Sequence, residues 1–199
     1  MSRPKFIVGL AGAAALCLAT TAQGASVTTL DLSGVEYPYS FAEATVLTFE
    51  VTATDPVVGI SWDLTVSTLD YDPSWTRDFQ LTITAPGATP DPTPGSSGNL
   101  TLTGGWDQGD VDFDWSGGVA TRSHAGFSDL LDGWNAFGTW EVRVWDSFSD
   151  HPAGAYEGQI TSGDISVHAV PLPAAGWAGL ALLGVVGGAG ALRRRCRTA

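Results

Sequence analysis

The sequence predicts an all-β protein, an antiparallel jelly roll or β-sandwich of about eight strands. Three observations carry that prediction. Apolar and polar residues alternate at period two through most of the middle of the chain. β-Branched and aromatic residues fill the apolar positions, and clusters of Gly, Pro and Asp interrupt the runs. No stretch of this region keeps a helical repeat over three turns. Such patterning marks strands with one buried face, and many short strands at this spacing pack as two sheets.

The strands follow in order. Leu47, Phe49, Val51 and Ala53 alternate with Thr48, Glu50, Thr52 and Thr54. Val58, Ile60, Trp62, Leu64 and Val66 alternate with Gly59, Ser61, Asp63 and Thr65. Phe79, Leu81 and Ile83 alternate with Gln80, Thr82 and Thr84, and Leu100 and Leu102 repeat the pattern. Val111, Phe113 and Trp115 put Asp110, Asp112 and Asp114 on the opposite face of a short strand. Trp140, Val142 and Val144 face away from Glu141 and Arg143, and Ile165 and Val167 close the series. Pro86 to Gly98 holds no hydrophobic residue beyond Ala88, so it has nothing to bury and is expected to be a mobile loop. Ser123 to Ala136 reads as a longer connection, in which Phe127, Leu130, Leu131 and Trp134 make one helical turn over the sandwich.

Both ends of the chain differ from this middle. Residues 1–24 read as a secretory signal peptide, handled by the Sec translocon. Arg3 and Lys5 precede an apolar core from Phe6 to Ala19, and small residues around Ala22 to Ala25 offer a cleavage site. The sandwich then occupies residues 25–169. In residues 170–199, Val170-Pro171-Leu172-Pro173-Ala174 leads into an uncharged run from Ala174 to Leu192, followed by Arg193, Arg194, Arg195 and Arg197. As a helix at about 1.5 Å per residue the run spans roughly 28 Å, close to the roughly 30 Å hydrocarbon layer. The arginines keep that end in the cytoplasm. Pro171 and Pro173 disfavour helix before the span.

Setting the two ends aside changes the charge. The whole chain is −12, but the middle carries only Arg77, Arg122 and Arg143 against all 21 carboxylates, a net charge of −18. Such a field repels nucleic acid and anionic lipid and suits a soluble exported protein or one that binds divalent cations. Both cysteines, Cys17 and Cys196, lie in the end segments, so the sandwich must stand without a disulfide.

The end segment resembles the PEP-CTERM sorting signals of Gram-negative bacteria, and Val170 to Ala174 is similar to their VPLPA variant. The resemblance implies recognition by an exosortase, a membrane transpeptidase, after an inner-membrane stage. The tail is then removed, and the protein is released or attached at the cell surface. A second resemblance covers roughly residues 45–168. Asp78-Phe79-Gln80-Leu81-Thr82-Ile83-Thr84-Ala85-Pro86-Gly87 is similar to a strand and turn of the P domain found beside subtilisin-like proprotein convertases. Phe137-Gly138-Thr139-Trp140-Glu141-Val142-Arg143-Val144-Trp145-Asp146 is similar to that family's Gly-x-Trp strand. Gly158-Gln159-Ile160 and Asp164-Ile165-Ser166-Val167 resemble its closing segments, although Asp164-Ile165 stands where the family carries a Trp. The family implies a jelly roll that is not itself the catalytic part.

Candidate chemistry is sparse. No nucleophile elbow is present, and His124, His151 and His168 share no metal-ligand spacing, so the chain is expected not to be an enzyme. The P-domain resemblance implies a structural Ca²⁺ and matches Asp146 to a recurring family Asp; Asp146, Asp150 and Asp78 are one candidate ligand set. A second set, Asp107 and Asp110, comes from the acidic segment. If that segment is a regular strand, same-face carboxylates stand roughly 6.5–7 Å apart at about 3.3 Å rise per residue. That is too wide for one Ca²⁺ without a bend, and a solvated face is the alternative. Exposed aromatics stack on sugar rings, and Trp75 and Trp106 are candidates for a polysaccharide. The expected function is a structural or adhesive surface protein. The alternatives are a carbohydrate-binding module and a hydrolase with an unrecognised site.

Overall fold

Ten strands form two sheets in a computed structural model that describes residues 25–68, 75–105, 109–115, 121–148 and 155–170. The expected signal peptide lies outside these residues, as do Pro171 to Ala174, the apolar run and the four terminal arginines. Among the described residues there is no α-helix, and no helix is long and apolar enough to cross a membrane.

The strands are β1 (Ser26–Asp31), β2 (Val35–Pro38), β3 (Thr45–Val51), β4 (Val57–Thr68), β5 (Phe79–Thr84), β6 (Asn99–Thr103), β7 (Val111–Asp112), β8 (Thr121–Ser128), β9 (Gly138–Asp146) and β10 (Tyr156–Ala169). One 3-10 turn, Thr76–Asp78, precedes β5. The first sheet runs β1-β10-β4-β8, with β2 also paired to β10. The second runs β3-β9-β5-β6-β7. All pairings are antiparallel except β6 with β7, which is parallel over Leu102–Val111 and Thr103–Asp112.

The apolar faces meet between the sheets. Ile60, Trp62, Leu64 and Val66 of β4 join Ile160, Ile165 and Val167 of β10 on one side. Phe79, Leu81 and Ile83 of β5, Leu100 and Leu102 of β6, and Trp140, Val142 and Val144 of β9 form the other. Each such side chain contributes about 1.5–3 kcal/mol on leaving water. In β4 the alternation slips at its start: Val57 is buried and Val58 is half-buried, where the β10 register shifts between His168 and Ala169. A bulge of this kind re-aims the side chains before it.

Several expectations change. β8 is a strand where a connection with a helical turn was expected. It pairs with β4 from Ser67–Thr121 to Ile60–Ser128. Its inward positions are Arg122, His124, Gly126 and Ser128, so no apolar period betrays it. β1 is silent for the same reason, because Ser26, Thr28 and Leu30 point inward and Val27 outward. The Asp110–Asp114 strand shortens to two residues, because Asp114 takes a left-handed backbone (φ 51°) and breaks the alternation. β5 is buried on both faces, not one. Its outer Gln80, Thr82 and Thr84 bond across to Thr103, Thr101 and Asn99 at 2.9, 3.1 and 2.8 Å.

The 86–98 loop is likewise tied down where mobility was expected. Asp110 accepts the amides of Gly95 and Thr101, both at 2.7 Å. Asn99 donates to the Thr89 and Ser97 carbonyls. Ser96 donates its hydroxyl to the Thr93 carbonyl at 2.5 Å. Side-chain acceptors thus do for this polar loop what apolar burial does elsewhere.

Candidate functional site

β5 begins at Phe79 and β9 ends at Asp146, and antiparallel pairing sets these two residues side by side. Asp78, the last residue of the 3-10 turn, therefore lies at the same end of the sandwich as Asp146. Asp78 and Asp146 are both buried, at 4% and 1% exposure, and Glu157 of β10 is 1% exposed. Backbone bonds hold the corner. The Ser147 amide donates to the Asp78 carbonyl at 2.8 Å, and the Ser40 amide to the Asp146 carbonyl at 3.0 Å. The Phe148 amide donates to Asp146 Oδ1 at 2.8 Å.

Tyr37 stands among these carboxylates. Its ring meets Phe79 edge-on at 5.4 Å, and it is fully buried. Burial pushes its phenol well above the usual range, and the charges of Asp146, Glu157 and Asp78 push it further. Its hydroxyl makes no hydrogen bond among the described residues. Gly158 lies directly over it, since a Cβ there would fall 2.1 Å from the Tyr37 oxygen. Arg77 flanks the cluster, with Nε 4.0 Å from Asp78 Oδ1 and its guanidinium 4.0 Å over the Trp75 ring.

Asp78 and Asp146, two of the expected Ca²⁺ ligands, thus lie at one end of the sandwich, and Glu157 is a third buried carboxylate, on β10. Only its position immediately before Gly158 marked it, which is no signal by itself. Buried carboxylate oxygens are the donors a hard cation takes. Among the described residues, however, no three acidic or imidazole groups lie close enough to hold a metal. Asp150 lies outside the described residues, as do Asp107 and Trp106. Asp110 sits elsewhere, with its two oxygens engaged by the Gly95 amide of the loop and the Thr101 amide of β6. Trp75 is half-buried, and its ring carries the Arg77 guanidinium.

Two histidines have specific partners that the sequence did not suggest. Trp62 donates its indole N–H to His124 Nδ1 at 3.0 Å, and Phe113 stacks on that imidazole at 4.1 Å. Burial pulls the His124 pKa below its usual value. On the outer face of the first sheet, Ser61 Oγ and His168 Nε2 lie 2.7 Å apart, within the reach of a nucleophile and its base. Among the described residues no carboxylate bonds the other nitrogen of His168, so the third member of a triad is missing there. Both residues are outward positions of neighbouring strands, which only the β4–β10 register brings together. The same register sets Asp31, Asp164 and Asp63 in one row across β1, β10 and β4.

No family model and no curated protein matches the chain. Solved structures do match. The complex of the Aeromonas sobria serine protease with a chaperone matches with a TM-score of 0.48 and 11% identity, over 74% of this chain and 27% of that one. The Aeromonas sobria serine protease by itself gives 0.46 and 12%, over 72% and 26%. The VP2 subviral particle of infectious bursal disease virus gives 0.38 and 14%, over 75% and 33%. The chain spans about a quarter to a third of the length of these solved chains. Two of these matches are to a serine protease, and the expectation that the chain is not an enzyme is withdrawn. The physical weakness of that expectation lies in its premise. Triads are recognised by geometry, so a missing linear motif excludes nothing. At these identities and TM-scores the matches assign no activity to this chain.

Proposed function

We propose that the chain is an exported protein, sorted by an exosortase-type transpeptidase, whose sandwich serves a structural or adhesive role at the cell surface or in the extracellular matrix. The observation that carries this reading is one ordered series: Val170-Pro171-Leu172-Pro173-Ala174, the uncharged run to Leu192, and Arg193, Arg194, Arg195 and Arg197. The apolar leader within residues 1–24 supports export through the Sec translocon. The −18 middle supports a destination away from nucleic acid and anionic lipid.

Register supports the finer reading of the body as a P-domain-like jelly roll. The two segments that carry the resemblance lie on β5 and β9, which are direct antiparallel neighbours from Phe79–Asp146 to Thr84–Glu141. The closing segments lie on β10. The reading includes a Ca²⁺ at the Asp146 corner, to which the buried Asp78 and Asp146 carboxylates would supply only part of the oxygen set it takes. When bound, the ion would neutralise carboxylate charge at that corner.

Cell fractionation tests the sorting. In a Gram-negative host carrying an exosortase, the body is expected at the cell surface or in the medium. Without the enzyme it is expected to stay in the inner membrane. The same location in both hosts overturns the reading.

A further inference from the structure

The end of the sandwich opposite Asp146 holds a cavity of 170 Å³. Its walls are the Gly95–Asn99 segment on one side and Leu130, Leu131 and Trp134 on the other. The walls are fixed. Asp110 holds the Gly95 amide, the Ala85 amide bonds the Gly98 carbonyl at 2.8 Å, and the Trp134 indole N–H donates to the Pro86 carbonyl at 3.3 Å. Gly98 lets the indole approach, since a Cβ there would lie 2.8 Å from it.

Size and lining narrow the occupant. A cavity of about 150 Å³ takes one benzene when its walls are wholly apolar, so this one takes a single six-membered ring. Its walls are mixed. Leu130 and Trp134 supply an apolar side, and Leu130 is 49% exposed. The Ser97 hydroxyl and the Ser97 and Gly98 amides make no hydrogen bond with the described residues. They are donors and acceptors for hydroxyl groups. No charged side chain lines the cavity, and the −18 middle repels anions. A ring with an apolar face, a hydroxylated edge and no charge is a neutral pyranose.

We propose that this cavity binds one neutral pyranose unit of an extracellular polysaccharide, with Leu130 and Trp134 under the ring and Ser97 at its hydroxyls. This names a ligand for the surface-protein reading and rests on it for biological sense, but its test is independent of sorting. The full chain, in a detergent without a sugar headgroup, is passed over an array of immobilised neutral glycans. Ser97→Phe fills the cavity, Leu130→Ala strips its wall, and Trp75→Ala leaves it untouched. Retention on at least one neutral glycan is expected. It should fall ten-fold or more in Ser97→Phe and Leu130→Ala at unchanged melting temperature, and persist in Trp75→Ala. Three results overturn the proposal: no retention by the unaltered chain, retention indifferent to Ser97→Phe, or retention lost in Trp75→Ala alone. A failure of sorting appears in the fractionation and leaves this array unaffected.

Discussion

The indole N–H of Trp62 donates to Nδ1 of His124 across two adjacent strands, at 3.0 Å. The bond requires an unprotonated Nδ1, so the neutral ring carries its proton on Nε2. The folded-state pKa of His124 is lowered by burial. The unfolded chain therefore takes up this proton first as pH falls, from an ordinary value of about 6.5. The stability His124 contributes is full above that value, declines as pH falls through it, and levels off below the folded pKa. His124→Gln keeps an acceptor for Trp62 without titrating. Melting temperatures of the two proteins are expected to diverge between pH 7 and pH 5, with the unaltered chain losing more. Parallel curves would contradict this.

Thr82 and Thr101 meet hydroxyl to hydroxyl at 3.1 Å, both fully buried. Removing one hydroxyl strands the other, which costs about 1–3 kcal/mol, whereas replacing both is nearly neutral. Thr82→Val is expected to lower the urea midpoint, and Thr82→Val with Thr101→Val to restore most of it. Additive losses would show that the bond contributes little.

Gly158 and Tyr37 are coupled by contact. A Cβ at 158 would stand 2.1 Å from the Tyr37 oxygen and 2.9 Å from the Ser67 carbonyl oxygen. The tyrosine ring is fully buried against Phe79 and has no room to retreat. Gly158→Ala is expected to cost about 1–3 kcal/mol through overpacking. Tyr37→Phe removes the oxygen but leaves the ring carbon Cζ 2.4 Å from that Cβ, so the double variant should recover only part of the loss and still fall short of additivity. A double-mutant cycle measures the difference.

The Ca²⁺ reading separates two aspartates that the sequence grouped as candidates. Ion at about 100 times its Kd adds about 2.7 kcal/mol, worth about 5–10 °C in a chain of this size. The full chain is expected to melt higher in millimolar Ca²⁺ than in EGTA. Asp146→Asn should abolish the shift. Asp110→Asn should keep it, because Asp110 serves the Gly95 and Thr101 amides. An unchanged melting temperature in the unaltered protein sinks the ion.

How much of this was legible in the sequence depended on what each strand turns inward. β4, β5 and β9 direct Ile60, Trp62, Leu81, Ile83, Trp140 and Val142 into the core, so period two reveals them. β1 and β8 direct Ser26, Thr28, His124 and Gly126 inward, and periodicity has nothing to report. Asp78 and Asp146 were singled out beside the P-domain resemblance, and the β5–β9 pairing is what puts them at one end of the sandwich. Glu157, Tyr37 and the Ser61–His168 pair depend on strand register, which is long-range information. The loop over residues 86–98 misled for a further reason. Its order comes from hydrogen bonds to Asp110 and Asn99, and composition records only its lack of apolar residues.

The central claim concerns sorting, and the intact mass of the protein recovered from the surface of an exosortase-bearing host tests it most directly. The account predicts a mass lacking both the leader within residues 1–24 and the segment beyond the Val170–Ala174 motif. A chain recovered from the surface of that host with Arg193 to Arg197 still attached would contradict it.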